Sequence, residues 1–132
     1  MTLITKRFLL VDDDPLNNYI TKKTLKKSLG EVHIIDFTNP ENGLEFIRSQ
    51  PVHNPTNGKT TLFLDINMPV ISGWEFLEAF ELFDISIKEQ YNIYILSSSI
   101  DPNEINLAKG NPLVCDFIEK PLNEAKLVKI FG

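Results

Sequence analysis

The sequence predicts an α/β fold, with a five-stranded, doubly wound parallel sheet and helices on both faces. Three observations carry this reading. Five short apolar runs with polar bounds recur along the chain: residues 8–11 (FLLV), 32–37 (VHIIDF), 61–64 (TLFL), 93–96 (IYIL) and 115–118 (CDFI). The segments between them carry helix-start chemistry, so strand and helix alternate five times over, which implies parallel strands joined by right-handed crossovers. A chain of 132 residues, 42% of them hydrophobic, also suits one domain with one well-buried core.

The runs that are continuously apolar read as strands covered on both faces. The first helix, Pro15 to Leu29, is less regular. Its Leu16, Ile20, Leu25 and Leu29 are spaced by four, five and four residues, which leaves open which face is buried. Lys22, Lys23, Lys26 and Lys27 on the same helix read as a solvated basic face. Asn39-Pro40 and Lys120-Pro121 each put a proline where a first helical turn can begin, because its missing N–H costs nothing there. Ser72-Gly73-Trp74-Glu75 and Asp101-Pro102-Asn103-Glu104 place a capping oxygen three residues before a Glu, the capping-box spacing. The last two helices are expected over Pro102 to Lys109 and Pro121 to Phe131. Residues 51–60 (PVHNPTNGKT) form a turn-rich loop entering the third strand at its N-terminal end.

A net charge of −5 argues against a surface that tracks a phosphate backbone, so direct nucleic-acid binding is not expected. A single cysteine, Cys115, excludes an internal disulfide and is expected to be buried packing. The stretch MTLITKRFLL is too short in apolar residues for a signal peptide or membrane span, and a soluble cytoplasmic protein is the expectation. His33 and His53 lie apart, without metal-ligand spacing.

Ligands of open parallel sheets bind outside the carboxyl ends of the strands. There the first strand is followed by Asp12, Asp13 and Asp14, the third by Asp65, the fourth by Ser97, Ser98 and Ser99, and the fifth, after Glu119, by Lys120. Singly, these are a solvated turn, a loop and a helix start. Jointly they say more, because carboxylates from separate strand ends repel and need a cation or shared protons. Mg²⁺ fits best, since it takes a few carboxylates and completes its octahedron with water and phosphate. A metal there would hold a phosphoryl group in line with Asp65, which could attack phosphorus and form an aspartyl phosphate. Ser97 and Lys120 would donate to phosphoryl oxygens.

These residues, with FLLVDDDP, LFLDINMP, SGWEF, ILSSS and DFIEKP in that order, resemble the receiver domain of two-component response regulators over nearly the whole chain. The resemblance implies the flavodoxin-like strand order 2-1-3-4-5 and a single receiver domain over residues 1–132 with no output domain. It implies Asp65 as phosphoacceptor and Mg²⁺ held by Asp12, Asp13, Asp65 and the main-chain carbonyl of Asn67. Ser97 would be the switch hydroxyl and Lys120 the family's lysine. Ser97 stands where many members carry threonine, which keeps the hydroxyl and loses the β-branch that restricts its rotamers. Phe117 matches the family's switch aromatic, and it equally suits an ordinary core position in the fifth strand.

The resemblance further implies a sensor histidine kinase or histidine phosphotransfer protein as phosphodonor and an unnamed downstream protein as target. It leaves open a phosphorylation-dependent homodimer. Chemistry would be confined to self-phosphorylation and slow self-dephosphorylation. The competing reading is an enzyme, a haloacid-dehalogenase-like phosphatase with Asp65 as nucleophile. That class needs a second aspartate two residues on as general acid and base, where this chain has Asn67. A flavodoxin-like FMN binder would need a phosphate loop free of acids, unlike VDDDP.

Overall fold

In the computed structural model, which describes residues 6–50 and 58–131, the apolar runs form β1 (Lys6–Val11), β2 (Val32–Phe37), β3 (Thr60–Asp65), β4 (Tyr91–Ser97) and β5 (Val114–Glu119). They make one parallel sheet in the order β2-β1-β3-β4-β5. Among the described residues six helices surround it: α1 (Pro15–Leu29), α2 (Pro40–Ser49), α3 (Gly73–Glu81), α4 (Ile85–Lys88), α5 (Pro102–Gly110) and α6 (Glu124–Phe131).

The two-residue period of a strand sorts the central side chains into two cores. Leu9, Val11, Leu62, Leu64, Ile93 and Ile95 pack with Ile47 of α2, Phe76, Leu77 and Phe80 of α3 and Ala108 of α5. The alternate positions Phe8, Leu10, Phe63 and Leu96 pack on the other face with Leu25 of α1 and Leu127 of α6. Residues 8–11 and 61–65 are all buried, which is why their sequence runs without polar alternation.

Several local expectations are corrected. α1 buries Asn18, Thr21 and Leu25, while Leu16 and Ile20 are exposed. Two of its three buried residues are polar, so no leucine stripe marks the inner face. Lys22 pairs with Asp36 of β2 at 2.6 Å, and Lys23, Lys26 and Lys27 are exposed as expected. α4 adds a helix to the five expected; its four residues, capped by the Asp84 carboxylate, are too few to show a period. α6 begins at Glu124 rather than Pro121. Lys120-Pro121 is a cis peptide, and the Asn123 carboxamide oxygen accepts the Lys126 N–H at the helix start.

The Ser72–Glu75 capping box forms as expected. At α5 only half of one does. Asp101 Oδ1 accepts the Asn103 N–H, but the Asp101 N–H donates to Ser99 Oγ, and Glu104 takes no part. Cys115 is exposed rather than buried. β5 is an edge strand whose register against β4 slips between Ile93 and Tyr94, so Cys115 is the extra residue of a bulge and turns outward. His33 is exposed in β2; His53, with the rest of residues 51–57, lies outside the described residues.

Candidate functional site

The ends of β1, β3, β4 and β5 lie side by side in the sheet, and the predicted acids, hydroxyl and lysine meet there. Asp12 and Asp65 are buried, at 4% and 5% exposure. Carboxylate oxygens of Asp12, Asp13 and Asp65 all lie within 4.8 Å of one another. Lys120 Nζ sits 2.8 Å from Asp12 Oδ2 and 3.5 Å from Asp65 Oδ2. Three carboxylates against one ammonium leave a net charge of −2 at neutral pH, in a donor set made only of oxygen. That is the chemistry that holds a hard divalent cation.

The four neighbouring acids are not equivalent. Asp14 is committed elsewhere, its Oδ1 accepting the Leu16 N–H to cap α1. Asp12 has both oxygens engaged: Oδ1 accepts the Asp14 N–H at 2.9 Å, and Oδ2 accepts Asn17 Nδ2 at 2.6 Å besides its pair with Lys120. Asp65 Oδ1 accepts the Asn67 N–H at 3.1 Å, whereas Oδ2 has only the longer approach of Lys120. Asp65 therefore keeps the freest oxygen of the two buried acids.

Ser97 is fully buried at the end of β4, with Oγ accepting the Ser99 N–H at 3.1 Å and Asn67 Nδ2 at 3.4 Å. Its carbonyl accepts the Lys120 N–H at 2.8 Å, tying the β4 and β5 ends together. Phe117 is half-buried at the rim of the core on the α5 side, where it lines a hollow with Ile105 and Ala108.

Three supporting residues escape sequence reasoning. Asn17 holds Asp12 as described. Asn18, buried in α1, donates Nδ2 to the carbonyls of Asp12 at 3.1 Å and Phe37 at 3.4 Å, fixing the acidic loop to the β2 end. Lys126 donates Nζ to the carbonyls of Glu119 at 2.5 Å and Pro121 at 3.0 Å, clasping the turn that carries Lys120. Two asparagines opening a helix directly after a run of acids were a visible signal. Lys126 had none, because its partners are main-chain atoms brought close only by the turn.

Gly73 sets how closely α3 approaches β3. Its N–H donates to the Ile66 carbonyl at 3.0 Å, and a Cβ there would lie 2.6 Å from Ile66 Cα and 2.8 Å from the Asp65 carbonyl oxygen. Both are main-chain atoms that cannot turn aside. Gly73→Ala is expected to cost about 2–4 kcal/mol in urea unfolding. An unfolding midpoint equal to wild type would show that the α3 approach is not tight.

Burial pushes the Asp65 carboxyl up from 3.8 to about 6; the Asn67 N–H opposes this, Asp12 adds to it, Lys120 opposes it and Asp13 adds to it. The folded pKa lies above the unfolded one, so between those two values the native state holds more protons. Stability of the metal-free protein should therefore fall as pH rises from about 4 to about 6. The difference in urea midpoint between wild type and Asp65→Asn isolates this contribution, which should grow across that window and then level off. Added divalent cation should recover the loss above it. A pH-independent difference would contradict the assignment.

Among the described residues no helix is long and apolar enough to cross a membrane. The sequence profile of the family described as the response regulator receiver domain matches residues 8–131. Stress response regulator protein 1 of Meyerozyma guilliermondii is 38% identical over 69 residues, a stretch that is 52% of this chain and 29% of that protein. Among solved structures, a response regulator receiver protein from Dyadobacter fermentans superposes with a TM-score of 0.85 at 26% identity, covering 96% of this chain and 94% of that one. A two component response regulator from Cytophaga hutchinsonii gives 0.84 at 24% identity, covering 98% and 96%. None of these similarities supports the phosphatase reading. With the family match spanning both the sheet and its acidic edge, the chain belongs to the response regulator receiver domain family, the phosphorylation-dependent signalling modules of two-component systems.

Proposed function

We propose that Asp65 is the phosphoacceptor, that Asp12, Asp13, Asp65 and the Asn67 main-chain carbonyl hold Mg²⁺, and that Ser97 and Lys120 read the phosphorylated state. The observation that carries this is the charge imbalance at the strand ends, three carboxylates facing one ammonium, with Asp65 Oδ2 the least engaged buried oxygen. When bound, Mg²⁺ would neutralise incoming phosphoryl charge. Asp65 Oδ2 attacks phosphorus, the O–P bond forms as the P–N bond of a phosphohistidine breaks, and the departing imidazole keeps its electron pair and takes a proton from solvent. Lys120 moves from its carboxylate partners toward a phosphoryl oxygen, and the Ser97 hydroxyl turns to donate to another.

The donor is a sensor histidine kinase or histidine phosphotransfer protein. α1 supports this, since it starts beside the acidic loop and exposes Leu16, Tyr19 and Ile20, with Lys23 Nζ over the Tyr19 ring at 5.3 Å from its centroid. Asn67 cannot exchange a proton as a general acid, which suits a lasting aspartyl phosphate rather than phosphatase turnover. The test is incubation with Mg²⁺ and acetyl phosphate, followed by intact mass. One acid-stable, base-labile adduct is expected, absent when Mg²⁺ is chelated. No adduct under either condition would refute the proposal.

A further inference from the structure

Between α3 and α5 runs an open groove of about 710 Å³, away from the strand-end acids. Its sides are Trp74, Leu77, Leu107 and Leu113, and its α3 rim carries Glu78 and Glu81. Trp74, Leu77, Glu78 and Glu81 follow the i, i+3, i+4, i+7 spacing that puts residues on one helix face. The groove is therefore written along α3. Leu107 is 58% exposed, a large apolar side chain left without cover on α5.

The charged side chains that line this groove, Glu78 and Glu81, are both acidic. Glu78 makes no ion pair among the described residues. Glu81 is paired with Lys88 Nζ at 3.5 Å, and that ammonium also donates to the Glu81 carbonyl at 3.1 Å. The cation of α5, Lys109, lines the hollow on the other flank of the helix with Cys115 and Phe117. Apolar walls under an acidic rim fit a segment that brings leucines or an aromatic ring between lysines or arginines. The groove is open and mostly apolar in its walls, unlike an enclosed site for a small metabolite.

We propose that the α3–α5 groove docks a basic amphipathic segment of a partner protein, apolar side chains inward and Lys or Arg against Glu78 and Glu81. This surface is separate from the phosphoryl site and does not depend on the assignment of Asp65.

Trp74 is the single tryptophan of the chain and so reports on the groove by its own fluorescence. The probe is a synthetic amphipathic helix with leucines on one face and lysines along its edges, set against the same peptide with glutamates for lysines. The lysine peptide should give a saturable blue shift of Trp74 emission, weakened by salt, with amide chemical-shift changes confined to α3, α5 and residues 111–113. Glu78→Lys with Glu81→Lys should weaken it about tenfold. Glu78→Lys alone, which leaves the Lys88 pair intact, should weaken it in the same direction, and circular dichroism checks both folds. Equal binding of the two peptides, shifts centred on Asp12 and Asp13, or indifference to Glu78→Lys would each overturn the proposal. So would a concentration-dependent Trp74 shift without peptide and a dimer in sedimentation, since the occupant would then be a second copy of this chain.

Discussion

Asp65→Asn is expected to carry no phosphoryl group after incubation with Mg²⁺ and acetyl phosphate, a loss of about a hundredfold or more in adduct by intact mass. The carboxamide is isosteric and still offers an oxygen to the Asn67 N–H, so the fold should survive. On the proposed reading it lacks the nucleophilic anion and one of the negative charges that would hold Mg²⁺. Asp14→Asn should phosphorylate as wild type does, because the Asp14 carboxylate caps α1 and an asparagine caps equally well. Asp13→Asn should lose metal affinity and adduct together. The same Asp65→Asn protein should be more stable than wild type at pH 7 without metal, by about 1 kcal/mol after solvent screening at the site mouth, since the carboxamide removes the burial cost of the charged carboxylate and, secondarily, its repulsion with Asp12 and Asp13. An undiminished adduct in Asp65→Asn, or a crippled Asp14→Asn beside an unaffected Asp13→Asn, would overturn the register of the site.

The strands were legible because the sheet is covered on both faces. Leu62, Phe63 and Leu64 point alternately into two cores, so neither side asks for a polar residue and the run is unbroken. The site was legible for a related reason. In a parallel sheet the residues just past each strand share one edge, so Asp12, Asp65, Ser97 and Lys120 could be brought together from strand ends alone. Elements whose burial is polar or whose length is short were not. α1 turns Asn18 and Thr21 inward and leaves Leu16 and Ile20 outside, the reverse of what hydrophobicity suggests. Asn18 is inside because its Nδ2 bridges the Asp12 and Phe37 carbonyls at the β1 and β2 ends, a link visible only once the strands are paired. Cys115 was misread because a bulge is a property of two strands together. The start of α6 was misread because Pro121 serves the turn and Asn123 serves the helix.

Phosphorylation should change amide exchange in α5, β5 and α6, and Ser97→Ala should take the phosphoryl group yet lose that change. On the proposed reading Ser97 and Lys120 are the contacts that differ between the two states, and a ligand shifts an equilibrium only through such contacts. In the unphosphorylated protein the Ser97 hydroxyl is fully buried, accepting from Ser99 and Asn67, while Lys120 is bound to Asp12. Ser99 Oγ accepts the N–H of Asp101, the α5 cap, so movement of Ser97 reaches α5 through two hydrogen bonds. α5 is lightly held. Ala108 is its one buried residue, Leu107 is exposed, and the Glu104 side chain leaves Oε2 buried with no partner, which costs stability in the present arrangement. Few buried apolar contacts mean a low free energy to shift, so α5 should respond before the better-anchored α3, which buries Phe76, Leu77 and Phe80. Exchange in α5 and around Phe117 is therefore expected to change by about tenfold on phosphorylation of wild type, and by less than about twofold in Ser97→Ala. Lys120→Ala should lose the response as well and hold its phosphoryl group with a different lifetime, since a phosphoryl oxygen then has no ammonium. A Ser97→Ala protein that responds like wild type removes the hydroxyl from the switch, and changes confined to α2 would place the signalling surface at the opposite, β2 edge of the sheet.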